Sequence, residues 1–304
     1  MAPSDTFDRR SSTRLETHDL GLYAATVFAW GFSWIAMKGQ VGPIPPEISV
    51  FWRFVLAAAV MVVWSLIRGV RLTFPLKTHL RFAALGALIF STNFTLFYYG
   101  AAYLASGMLA VVFSTASVFN LVLGFVFLGQ RIKPLTLIAG LLGFGGIALI
   151  FWPKIMGTTL DLEVATGLAL CIAGTLSFCL GNIVSASTQT SGVGVTPATT
   201  WGMIYGAVLL GLFSLMKGHS FAVEMTAEYI GTLVYLAIVA SVVAFGAYLT
   251  LLGRIGSARA GYATVLFPLV ALTVSTLFEG YTWSASALLG VVCVIAGNVL
   301  MLRR

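Results

Sequence analysis

FVFLGQRIKPLTLIAGLLGFGGIALI, residues 125–150, is answered by STLFEGYTWSASALLGVVCVIAGNVL, residues 275–300, which begins 150 positions later. Each segment closes one apolar run, turns through a short polar corner, LGQ or LFEG, and opens a second apolar run rich in glycine. Recurrence at a fixed offset is the mark of an internal repeat. A single repeat half holds five apolar runs when the count is carried outward from these corners.

A helix needs about 20 apolar residues to cross a hydrocarbon core of roughly 30 Å. Ten runs of about this length are expected, near 20–38, 47–67, 80–101, 105–128, 134–152, 164–186, 197–216, 229–252, 259–278 and 283–302. Composition agrees: 59% of the 304 residues are hydrophobic and 9% charged, against about 25% charged in an average soluble domain. The mean hydropathy is +0.98. The runs are continuous rather than alternating, which excludes a β-barrel. The fold class expected is therefore an all-α membrane protein of ten transmembrane helices.

Basic residues orient it. With the N-terminus inside, thirteen Lys and Arg fall on the cytoplasmic side, Lys38, Lys154 and Lys217 fall outside, and Arg53 is left within a span. This bias places both termini in the cytoplasm, and it accounts for the excess of 17 basic over 10 acidic residues without nucleic acid. The expected layout is a cytoplasmic tail over 1–19, a first five-helix repeat over 20–152, an external linker over 153–163, a second repeat over 164–302 and a cytoplasmic end at 303–304. The polar tail is long and no small-residue cleavage site ends the first run, so it reads as a tail rather than a cleaved signal peptide.

Five is odd, so the two halves must lie in opposite orientations. Other echoes keep the same order: PPEISVFWRF (45–54) with TPATTWGMIY (196–205), and AWGFSWI (29–35) with SFCLGNI (177–183). Inverted repeats are a secondary-transporter architecture whose substrate site lies near the midplane between halves.

No enzyme is expected. His18, His79 and His219 lie in tails or loops, and HExxH, GxSxG and GxxxxGK are absent, which removes the usual metal, nucleophile and phosphate-loop chemistries. Cys171, Cys179 and Cys293 lack zinc-type spacing. No cofactor is implied.

Polar residues within spans carry the remaining signal, because hydrocarbon penalises them unless they pair or line a cavity. Trp30, Asn93, Ser114, Thr115, Ser117 and Asn182 fall at levels that one cavity could share. Amide and hydroxyl groups there suit the ammonium and carboxylate of a zwitterion, and aromatic walls suit an apolar side chain. Against this, Ser and Thr in membrane spans commonly bond their own helix or a neighbour. Trp30, Trp34 and Lys38 share one helical stripe, and Lys38 is expected to snorkel to the outer surface. Tyr98, Tyr248 and Tyr262 are candidate gates, although tyrosine also forms interfacial belts. Pro268 breaks backbone bonding in its span and lets it bend.

Arg53 is too deep to snorkel easily and is expected to bond carbonyls or a carboxylate on another span, with Glu279 a candidate partner. Glu279 is also the carboxylate through which proton coupling is left open. Gly140, Gly143, Gly145 and Gly146, with Gly290 and Gly297, suit close helix packing in a scaffold or dimer contact.

WGFSWIAMKG (30–39), PPEISVFWRF (45–54), YLASGMLAVV (103–112), the LGQ and LFEG endings and Pro268 together resemble the drug/metabolite transporter (DMT) superfamily, in particular its EamA-like exporter branch. The resemblance covers essentially the whole chain. It implies export of small metabolites across a bacterial inner membrane by alternating access, and within the branch the chain looks most like exporters of amino acids, including aromatic ones. It also brings in Phe178, at a position where related exporters tend to carry an aromatic. One departure stands out: FSTASVFN (113–120) lacks the proline that VLFPLVAL (265–272) has. The expected partners are a small-molecule substrate and the lipid bilayer, with a monomer or homodimer as the working unit. Two alternatives remain open: a carrier of anionic metabolites such as sugar phosphates or nucleotide sugars, and a non-transporting receptor or structural subunit.

Overall fold

The computed structural model describes residues 16–128, 134–155, 161–255 and 263–302. These residues form ten helical rods: α1 (Thr17–Lys38), α2 (Pro46–Ile67), α3 (Leu76–Ala101), α4 (106–128, interrupted at Thr115), α5 (Pro134–Ile155), α6 (Leu162–Thr190), α7 (Val195–Met216), α8 (227–255), α9 (Ala263–Phe278) and α10 (Ala285–Leu302). Seven of the ten, α1 to α4 and α6 to α8, are long and apolar enough to cross a membrane. The described parts of α5, α9 and α10 carry shorter apolar stretches, at Leu137–Phe151, Leu266–Phe278 and Ala285–Leu300.

Local chemistry sets the helix ends. Pro46 and Pro134 open α2 and α5, where the missing N–H is no loss. Asp161 caps α6 by accepting from the amides of Glu163 and Val164, each at 3.0 Å. The corresponding helices α2 and α7 end alike. Gly69 (φ 63°) and Gly218 (φ 70°) take the left-handed conformation just past each end. Val70 N then donates to Ser65 O at 2.8 Å and His219 N to Ser214 O at 3.0 Å, closing the same glycine-terminated motif.

The helix contacts obey the repeat. Exchanging helix n with helix n+5 turns the α1–α9 contact into α6–α4, α1–α8 into α6–α3, and α2–α8 into α7–α3, and it returns α2–α7, α4–α9 and α5–α10 to themselves. Short connections make successive helices antiparallel, so helices five apart run in opposite directions. The two halves are inverted copies around a pseudo-two-fold axis. The copying reaches the backbone: α3 widens to π-helical turns over Gly86–Asn93, and α8 does the same over Tyr235–Val243.

Glycine allows the tightest of these contacts. A Cβ on Gly146 would lie 2.5 Å from Gly290 O, and one on Gly290 would lie 2.5 Å from Gly146 O. These glycines of α5 and α10 join the two halves within one chain, and Gly297 approaches Ala139 in the same seam. Outside the core, Phe127, Leu141, Leu215, Leu277 and Val292 are exposed, an apolar belt that suits lipid.

Candidate substrate site between the two halves

Six helices from both halves meet in an aromatic cluster. On α1, the Trp30 ring lies 5.7 Å from Phe245 and 5.2 Å from Tyr248 of α8, and 6.4 Å from Phe267 of α9. One turn further along α1, Trp34 meets Phe97 of α3 at 5.3 Å and Phe113 of α4 at 5.5 Å, and it stacks on Phe267 at 6.2 Å. Phe178 of α6 closes the cluster against Phe113 at 4.9 Å. Beside it, a crevice between Ser114, Pro268 and Asn298 holds about 10 Å³, room for at most one water. The site is collapsed in this state.

Several polar atoms around the cluster lack the partners their burial demands. Asn93 Nδ2 donates to Ile89 O at 3.3 Å, but its Oδ1 has no hydrogen-bond partner. The buried Trp34 Nε1 has none either, whereas Trp30 Nε1 donates to Ala240 O at 3.2 Å. A buried orphan group costs about 1–3 kcal/mol. Arg53, 4% exposed, donates from Nε and Nη2 to Ser241 Oγ at 3.2 and 3.1 Å. Its guanidinium lies 4.3 Å from the Phe94 ring centroid.

Polar contacts seal the end of the bundle that carries Lys38. Lys38 Nζ donates to Leu104 O at 3.1 Å and lies 3.4 Å from Glu279 Oε1. Glu279 accepts from the Ser106 amide at 3.0 Å and from the Ser106 hydroxyl in a very short bond. Burial pushes the Glu279 carboxyl up, but the Ser106 hydroxyl and amide and the Lys38 ammonium outweigh it and hold the group below its ordinary 4.5. A second cluster surrounds Glu47, whose side chain is wholly buried. It accepts from Tyr99 at 2.8 Å and Lys217 at 3.2 Å, with His219 Nδ1 also 3.2 Å away. Tyr98 donates to Gln40 at 2.8 Å, and Ser49 meets the Tyr229 hydroxyl at 2.8 Å.

The structure sorts the residues expected from sequence. Trp30, Trp34, Phe178 and Tyr248 come together in the cluster, and Asn93 stands on α3 one turn before Phe97. Ser114 and Thr115 instead bond the carbonyls of Val111 and Val112 on their own helix. Ser117 bonds Ser114 O and Asn298, and Asn182 bonds Asn120 at 3.2 Å, so these two tie helices together. Tyr98 is buried at the sealed end, and Tyr262 lies outside the described residues.

Two expectations are corrected. Arg53 does not reach Glu279; it bonds Ser241, because Glu279 lies at the rim, held by Ser106 and Lys38. Lys38 does not simply snorkel, since its ammonium bridges α1 to Leu104 and Glu279, with the side chain 37% exposed. Sequence reasoning missed Glu47, more buried than Glu279, which meets Lys217 and His219 at the end of the corresponding helix α7. It also missed Ser241, Phe97, Phe113, Phe245 and Phe267, which carry no distinguishing sequence signal of their own.

The sequence profile of the EamA-like transporter family matches residues 20–152 and again 165–303. "Uncharacterized transporter YoaV" of Bacillus subtilis is 23% identical over 83% of this chain and 85% of its own length. "Probable amino-acid metabolite efflux pump" of Escherichia coli is 25% identical over 91% and 93%. "Uncharacterized inner membrane transporter YedA" of Escherichia coli is 26% identical over 87% and 84%. A solved crystal structure superposes with a TM-score of 0.66, at 15% identity, over 94% of this chain and 96% of the other; that likeness speaks for the fold alone.

Proposed function

Because the chain belongs to the EamA-like transporter family, we propose that this integral membrane transporter exports small metabolites, above all amino acids, including those with aromatic or other large apolar side chains. The observation that carries this reading is the aromatic cluster shared by both halves, with unsatisfied Asn93 and Trp34 polar atoms at its edge. Aromatic walls with a few polar atoms suit a ligand that is apolar at one end and polar at the other. The relative described as an amino-acid metabolite efflux pump, alike over most of both chains, supports the same class.

The mechanism is alternating access. In the collapsed state the Lys38 end, read as the outer face from the distribution of basic residues, is latched across α1, α4 and α9 and across α2, α3 and α7. Substrate filling the cluster gives Asn93 and Trp34 the partners they lack and pushes α1 away from α9, where Pro268 leaves the helix free to bend. The latches then part toward the outside. A sugar-phosphate carrier needs several buried cations to neutralise phosphate, and Arg53 is the only buried Lys or Arg among the residues whose side chains are described.

Counter-flow of labelled phenylalanine, leucine and threonine into liposomes carrying the purified protein tests the reading. The expected result is saturable exchange, strongest for phenylalanine and reduced at least about tenfold by Trp34→Ala, which removes a wall of the cluster. Absence of flux for all three amino acids would sink it.

A further inference from the structure

Arg53 is a permanent cation buried two turns inside α2, and no carboxylate among the described residues pairs with it. Its hydrogen-bond partner is neutral, the Ser241 hydroxyl. That hydroxyl donates its own proton to Leu236 O at 2.8 Å, which turns its lone pairs toward the guanidinium. The Phe94 ring face at 4.3 Å and the Tyr98 hydroxyl nearby complete the surroundings. Each of these soothes a positive charge, and none cancels it. Burying a charge without a counter-ion is costly, so the arrangement is complete only when an anion arrives.

The position says which anion. Ser241 follows Ala240, the residue whose carbonyl accepts the Trp30 indole. Trp30 of α1 and Arg53 of α2 thus dock on consecutive residues of the same π-helical stretch of α8. The Trp30 indole and the Arg53 guanidinium are thereby held by neighbouring residues of one helix, one from each of two adjoining helices.

We propose that Arg53 binds the carboxylate of the transported molecule, with Ser241 orienting the guanidinium and the Trp30 cluster taking the side chain. This rests on the exporter reading and adds to it that a carboxylate is required. The planar guanidinium fork matches a carboxylate in two parallel bonds, and a site built around that bond rejects analogues that lack it. Amines, esters and amides of the same side chain are then poor substrates.

The test uses the full chain in liposomes, with counter-flow of labelled phenylalanine opposed by unlabelled phenylalanine, phenylacetate, phenylalaninamide or phenethylamine. In the wild type the two carboxylates compete, and the amide and the amine need at least about tenfold more. Arg53→Met raises the KM for phenylalanine at least about tenfold and abolishes the preference for acid over amide. Arg53→Lys, which keeps the charge but loses the fork, restores part of that preference. An amide that competes as well as the acid overturns the inference while leaving the exporter reading intact, and it does so in the wild type, where folding of a variant is not at issue. An unchanged acid preference in Arg53→Met overturns it equally. Absence of any amino-acid flux overturns the exporter reading itself, and the inference falls with it.

Discussion

The two ends of the bundle are built on the same repeated scaffold yet closed with different chemistry. At the Lys38 end two ion pairs form, Lys38 with Glu279 and Lys217 with Glu47, and His219 Nδ1 lies beside the Glu47 carboxylate. At the opposite end several of the closing contacts are neutral hydrogen bonds. Trp201 donates to Leu72 O at 2.9 Å, Tyr205 meets His79 at 3.1 Å, Ser65 meets Thr200 at 3.3 Å, and Arg81 reaches only the Ser187 carbonyl. Repetition of backbone has not brought repetition of the closing side chains. A scaffold that opens alternately at two ends has its resting preference set by the difference between their closures. Opening the Lys38 end carries its own cost, because parting Glu47 from its partners strands a buried carboxylate.

The sharpest way to break this asymmetry is at Glu47. Glu47→Gln preserves shape but leaves Tyr99, Lys217 and His219 facing a neutral amide. The expected loss is about 1.5–3 kcal/mol, the range for hydrogen bonds to charged groups, read as a lower unfolding temperature in detergent. In liposomes the same variant exposes the Lys38 end, and a cysteine placed at Gly42 reacts faster with a membrane-impermeant thiol reagent. Unchanged reactivity together with unchanged stability would mean that the cluster does not latch that end.

The ease with which each part was legible follows from the range of the interaction that fixes it. The ten helices and the inverted halves were legible because they rest on runs of like residues and on two corners, GQRIKP and EGYTWS, recurring at one offset. The depth of Arg53 was legible for the same reason. Its partner was not, because Ser241 lies 188 positions away in the π-helical stretch of α8, which has no sequence signature. Glu47 lies in the first turn of α2, where a glutamate has an ordinary role beside the helix dipole, so nothing in the sequence marks its buried cluster. Phe97, Phe113 and Phe267 read as packing residues, and only the meeting of six helices makes them a wall. The serine-rich stretch of α4 pointed to a cavity on chemistry alone, but Ser114 was free to bond a carbonyl three residues back, and it did.

Glu279 offers a middle-sized test. Its carboxyl is held below 4.5 by Ser106 and Lys38, so its contribution is present above that value and is lost as pH falls through the lowered folded value. Glu279→Gln is expected to cost about 1 kcal/mol near neutral pH, since Lys38 is partly exposed and solvent screens the pair. The gap in unfolding temperature between wild type and variant should hold from pH 7 to about 4.5 and close below it. A gap that closes between pH 7 and 5 would instead make Glu279 a carboxyl that titrates in the physiological range, and the latch would then be sensitive to the proton gradient.

The smallest effect is expected at the other closure. Tyr205→Phe removes the hydroxyl that meets His79 Nδ1 but leaves the ring against Trp201, 6.0 Å away. The His79 ring keeps its edge contacts with Phe82 at 5.4 Å and Trp201 at 4.5 Å, so packing is preserved and one neutral bond is lost, worth about 0.5–1.5 kcal/mol. Weakening this end should favour opening opposite to Lys38, and the thiol reactivity of the Gly42 cysteine should fall or stay level while that of Glu47→Gln rises. If Tyr205→Phe destabilises as strongly as Glu47→Gln, the two closures are equally firm and the resting state is not set by the ionic end.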